Sequence, residues 1–134
     1  MYDFGLLNPV WAGTRAAELT SDTAFAQAML DVEMAWCAAQ VEFGTAPESI
    51  TGAVAAAADI DDYDLVAIAN ATPDGANALI PLLSAMRDKV AEADPDAAVY
   101  VHRGATSQDI IDTALMLLAA RVGNHALQQL KPSV

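Results

Sequence analysis

Positions 102 to 109 read His-Arg-Gly-Ala-Thr-Ser-Gln-Asp, and a long apolar stretch begins at Ile110. Two hydroxyls (Thr106, Ser107), an amide (Gln108) and a carboxylate (Asp109) therefore stand at the mouth of a helix, with the His102 imidazole and the Arg103 guanidinium just upstream. Unpaired backbone N–H groups at a helix start attract anions. Hydroxyl and amide donors beside them suit a carboxylate ligand. An imidazole can donate to such a ligand or move a proton. A structural reading fits the same residues: Thr106 as N-cap with Asp109 three positions on forms a capping box. Capping and anion binding use the same N–H groups, so the residue types leave both open. His102 alone suits a structural hydrogen bond equally well, and Arg103 suits surface solvation.

Other groups with chemical potential are fewer. Asn77, in Gly75-Ala76-Asn77-Ala78-Leu79-Ile80-Pro81, is either a helix-start residue or part of a site. The acidic run Asp59-Ile60-Asp61-Asp62 lacks the glycine-centred loop of a calcium site and reads as a solvated cap. Cys37 is the only cysteine, which excludes an internal disulfide and a cysteine-rich metal site. Cys37 and His125 fall within helical patterns and are expected to pack, as are Trp11 and Trp36.

These residues must be positioned by helices. Residues 1–20, punctuated by Gly5, Pro9 and Gly13, are expected to be irregular. Ser21 or Asp22 offers an N-cap to a helix whose apolar face is Phe25, Met29, Val32, Trp36, Ala39 and Phe43, ending near Gly44. Pro47 and Ser49 open a short helix through Ala53–Ala58, and Asp61 and Asp62 cap another from Tyr63 to Asn70. Thr72-Pro73-Asp74-Gly75 reads as a turn. A helix follows from about Ala76 to Ala93, with Pro81 tolerated in its first turn. Val99-Tyr100-Val101 is short and extended. The final helix, about 107–130, is apolar around most of its circumference from Ile110 to Val122 and should be buried on several sides. The fold class is all-α, with one helical domain over 1–134.

Composition narrows the function classes. The chain has 134 residues, is 54% apolar and carries a net charge of −12, so charge and apolarity must occupy different faces. Eighteen acids against six Lys and Arg argue against nucleic acid and against an anionic membrane surface. The longest unbroken apolar run, Ala114 to Ala120, is far shorter than the roughly 20 residues of a spanning helix. Met1-Tyr2-Asp3-Phe4 lacks the basic and apolar regions of a signal peptide, so a soluble, cytoplasmic protein is expected. Surplus apolar surface points to a homo-oligomer. Lys131-Pro132-Ser133-Val134 ends the chain where a longer bundle would be expected to continue.

Three stretches carry a resemblance: His102–Ala114, Ser21-Asp22 with Gln27 to Glu33, and Gly75 to Pro81. Together, over roughly Leu19 to Leu118, they resemble the fumarase/aspartase superfamily, and within it they look most like the 3-carboxy-cis,cis-muconate cycloisomerases. The resemblance implies the N-terminal helical domain of that fold, with the final helix beginning its long central bundle. It implies a small tricarboxylate substrate gripped by Thr106, Ser107, Gln108 and Asn77, with His102 as the catalytic residue and Asp109 ordering the turn. No metal or organic cofactor is implied. The chemistry is proton transfer next to a carboxylate; in the cycloisomerases a carboxylate oxygen adds across a double bond to give 4-carboxymuconolactone. The corresponding stretch of adenylosuccinate lyases usually carries a His-Asp pair, absent here. Muconate enzymes often have Gly and Asn adjacent, whereas Ala76 intervenes here.

Superfamily active sites are assembled from three subunits of a homotetramer. They also need a further histidine and a G-S-S-x-M-P-x-K-x-N-P loop, which this sequence lacks. The expectation is therefore the N-terminal part of such an enzyme, inactive by itself. The alternatives are a free-standing helical interaction module or part of another superfamily lyase acting on a succinyl adduct.

Overall fold

Ser21 ends one helix and starts the next: its hydroxyl donates to the Glu18 carbonyl and accepts from the Ala24 N–H. The computed structural model describes residues 6–131, and its order is α1 (Arg15–Leu19), α2 (Asp22–Glu42), α3 (Ile50–Ala56), α4 (Leu65–Gly75), α5 (Leu79–Ala93) and α6 (Ser107–Leu130). Short 3-10 turns lie at Ile60–Asp62 and Ala98–Tyr100, and the described residues include no strand. The all-α expectation holds. Within the segment expected to be irregular, Thr14 caps the five-residue α1; Gly5 lies outside the described residues.

The core forms where α2, α5 and α6 meet. Met29, Leu30, Leu79, Leu82, Met86, Val90 and Ile110 are all buried there, with Ile50 and Val54 of α3 closing one side. The buried stripe of α2 runs through Ala26, Met29, Leu30, Glu33, Cys37 and Gln40. Met29 and Val32 are buried as expected and Phe25 packs on the core, but the second half of the expected face is corrected, because Trp36 is 37% exposed and Phe43 82%. There, large apolar residues suggested the wrong register. Small residues face inward instead, and Ala26, Ala28 and Cys37 let neighbouring helices approach closely. Trp11 is likewise half exposed rather than core.

The corner between α4 and α5 also departs from expectation. Asp64, not Asp61 or Asp62, caps α4 by accepting from the Val66 and Ala67 N–H groups at 3.0 Å each. The helix then runs through the expected turn to Gly75, carrying Pro73 in its last turns. The reversal falls at Ala76, whose φ of +64° is left-handed. A side chain at Gly75 would bring a Cβ within 2.8 Å of the Ile80 Cβ, so this position admits only glycine without a shift. Asn77 opens α5 by accepting from the Leu79 and Ile80 N–H groups, and Pro81 falls in the first turn as expected. Val99 and Tyr100 belong to a 3-10 turn instead of an extended segment.

Helix α6 spans the expected residues and lies along α2, tied by the Arg121–Asp31 ion pair at 2.6 Å. Its buried stripe within this chain is Ile110, Ala114 and Leu118. Leu115, Met116, Leu127 and Leu130 are exposed, so the expected burial on several sides is not achieved by the described residues. By length and composition alone α6 could cross a bilayer. Asp109, Asp112 and Arg121 along it, with the bond to Asp31, are features of a helix packed on protein.

Candidate functional site

The first turn of α6 distributes its donors unevenly. Asp109 folds back so that one carboxylate oxygen accepts from both the Thr106 N–H and the Thr106 hydroxyl, each at 2.8 Å. The Asp109 N–H in turn bonds the Thr106 carbonyl. These bonds, the backbone one foremost, hold the Asp109 carboxyl below its ordinary range. The capping reading of Thr106 and Asp109 is therefore realised, and the Thr106 hydroxyl is committed to it. Three donors remain without a partner among the described residues: the Ser107 N–H, the Gln108 N–H and the Ser107 hydroxyl.

The segment leading into this turn is held by its backbone. Gln40 donates to the Tyr100 carbonyl at 3.2 Å, Arg87 to the Val101 carbonyl at 3.2 Å, and Trp36 to the Arg103 carbonyl at 2.9 Å. Helices α2 and α5 thus fix three successive stations of the loop. Between the last two, His102 adopts φ +61°, a left-handed conformation uncommon outside glycine. Gly104, at φ +79°, completes the reversal into α6.

This loop path delivers the His102 ring to a carboxylate in the core. Nδ1 lies 2.6 Å from Oε1 of Glu33, with the two side chains 12% and 1% exposed. The second Glu33 oxygen, Oε2, is buried and has no hydrogen-bond partner among the described residues. Burial pushes the Glu33 pKa up, opposed by the bond and charge of His102 and by the charge of Arg87. Cys37, one turn along α2, is pushed up to about 11, mainly by burial and secondarily by the Glu33 charge. With Nδ1 engaged, Nε2 is the ring nitrogen left for a ligand.

His102, Thr106 and Ser107 share one loop-to-helix segment, with the His102 ring turned to Glu33 and the Thr106 hydroxyl to Asp109. Gln108 directs its side-chain amide to Asp112 on the exposed side of α6, so only its backbone N–H serves the mouth. Asn77 caps α5 and makes no hydrogen bond to the 102–109 segment. Glu33 was missed from the sequence. The available signal was a carboxylate within the apolar stripe, between Leu30 and Cys37. Among the described residues no group of three or more His, Cys, Asp or Glu is placed to hold a metal ion. An open hollow of about 490 Å³ adjoins the loop, lined by Trp36, Gln40, Phe43, Arg103 and Gly104 among others.

Known proteins share this arrangement of helices. The chain is 48% identical over 121 residues to the nitrosuccinate lyase of Streptomyces davaonensis, covering 90% of this chain and 26% of that protein. It is 40% identical over 112 residues to the 3-carboxy-cis,cis-muconate cycloisomerase of Bradyrhizobium diazoefficiens, covering 84% and 25%. Among solved structures, the 3-carboxy-cis,cis-muconate lactonizing enzyme of Pseudomonas putida superposes with a TM-score of 0.82 at 38% identity, over 87% of this chain and 27% of that one. The β-carboxy-cis,cis-muconate cycloisomerase of Acinetobacter calcoaceticus gives 0.76 at 41% identity, over 79% and 25%. The chain spans about a quarter of the length of the relatives it matches. No family model matches it.

Proposed function

We propose that this chain, which belongs to the fumarase/aspartase superfamily, is the N-terminal part of a 3-carboxy-cis,cis-muconate cycloisomerase and supplies the carboxylate-binding portion of its active site. The observation that carries the reading is the set of uncommitted donors at α6, namely the Ser107 N–H and hydroxyl and the Gln108 N–H, at the end of the loop that carries His102. In this chemistry negative charge builds on a substrate carboxylate, and donors already aimed at it stabilise that charge without reorganising. Ser107 and the helix N–H groups would bind the carboxylate. The Thr106 hydroxyl, bonded to Asp109, would shape the turn. His102 would face the substrate through Nε2. The remaining walls would come from other parts of the enzyme and from neighbouring copies in a cytoplasmic homotetramer.

A second reading, a lyase acting on nitrosuccinate, is favoured by the 48% identity to the Streptomyces enzyme. Nitrosuccinate also presents carboxylates, so the same donors would serve it. The common claim is testable on the chain itself. Titration with tricarballylate, followed by amide NMR, is expected to shift Ser107 and Gln108, and Ser107→Ala is expected to weaken binding about tenfold. Absence of shifts at these amides would overturn the assignment. The chain alone is expected to give no turnover of 3-carboxy-cis,cis-muconate or nitrosuccinate, and measurable turnover of either would refute its role as part of a larger site.

A further inference from the structure

We infer that Glu33 is a positioning residue for this site, acting through His102 to leave Nε2 unprotonated and facing the ligand; the inference deepens the proposed function. Its basis is a juxtaposition across the fold. The carboxylate comes from the middle of α2 and the imidazole from the loop before α6, 69 residues later. They meet at 2.6 Å where the acid is 1% exposed.

A carboxylate in the core is a costly way to stabilise packing, because one of its oxygens has no hydrogen-bond partner among the described residues. An apolar residue would suit the stripe between Leu30 and Cys37 better on packing grounds. What the acid gains is control of the ring. The imidazole is held by a left-handed backbone at position 102 and by carbonyl anchors on either side, at Val101 and Arg103. Those contacts set where the ring is, but only a hydrogen bond to a ring nitrogen decides which nitrogen carries the proton. An ionised Glu33 accepts from Nδ1–H, and the neutral ring then presents Nε2 as an acceptor. A carboxylate behind a histidine plays this orienting part in hydrolase triads and around metal sites. Here the histidine lies in the loop that leads into α6, four residues before Thr106, so the opening would offer both an acceptor and N–H donors to one substrate.

Two measurements test the role. Long-range proton–nitrogen correlation of the His102 ring in the 134-residue chain, at a pH where the ring is neutral, should show the proton on Nδ1. Detection of the Nε2–H form would overturn the inference without any variant. Glu33→Gln is then expected to give a mixture of the two ring forms and to weaken tricarballylate binding about tenfold. In a His102→Gln background, Glu33→Gln should cause no further loss. An equal loss with and without His102 would identify a merely structural residue and overturn the inference. If the wild-type chain binds no tricarballylate, the proposed function fails, and the ring measurement still decides the role of Glu33.

Discussion

Asp109 accepts two bonds from Thr106 and so steadies the first turn of α6, yet its charge stands beside the donors that a bound carboxylate would use. The Thr106 N–H, followed by its hydroxyl, holds the Asp109 carboxyl below its ordinary range. A depressed folded pKa contributes stability above the unfolded value, and this contribution is lost as pH falls through the folded value. Asp109→Asn is therefore expected to melt earlier than wild type at neutral pH. The gap should close on acidification below about pH 4, as thermal denaturation across pH would show. A gap that stays constant down to pH 2 would remove the electrostatic cause. The same variant is expected to bind tricarballylate more tightly, since one repelling charge has gone, and calorimetric titration reads this directly. This turn was legible in the sequence because its partners stand three residues apart on one helix. The pairing of His102 with Glu33 was not, because 69 residues separate them and only the folded path brings them together.

At the scale of elements, the α4–α5 corner shows how close packing overrides local signals. Thr72-Pro73-Asp74-Gly75 has the composition of a turn, yet α4 continues through it and the chain reverses one residue later at Ala76. Pro73 costs the helix one backbone bond near its end, where carbonyls are already short of partners. Gly75 is needed for a different reason from the turn chemistry first suggested: it lets α4 approach Ile80 of α5. Gly75→Ala is expected to destabilise the protein by about 1–3 kcal/mol, measured by chemical denaturation, because a new Cβ would meet the Ile80 Cβ at 2.8 Å. An unchanged denaturation midpoint would show that the two helices can part freely. The second half of α2 was misread for a related reason. Apolar size marked Trp36 and Phe43 as inward, whereas the residues that allow helices to approach are small. The boundaries of α6 came out correctly because its capping signal and its long apolar run agree.

For the molecule as a whole, α6 leaves Leu115, Met116, Leu127 and Leu130 exposed after packing on α2. Exposed apolar residues repeated along one helix favour association. The purified chain is expected to show a native mass above its 14.0 kDa, and Leu115→Glu with Met116→Glu should return it to a monomer of unchanged helical content. A monomeric wild type would argue against that surface as a contact. The sequence signalled surplus apolar residues, but not which of them stay uncovered, since that depends on how many neighbours the helix has. One consequence follows from the length of α6. Its 24 residues make a rod of about 36 Å, with the Ser107 donors at one end and Leu127 and Leu130 at the other. A straight helix transmits displacement with little loss. Were a second copy to clamp the distal half, it would thus also set the aim of the N–H groups at the opposite tip.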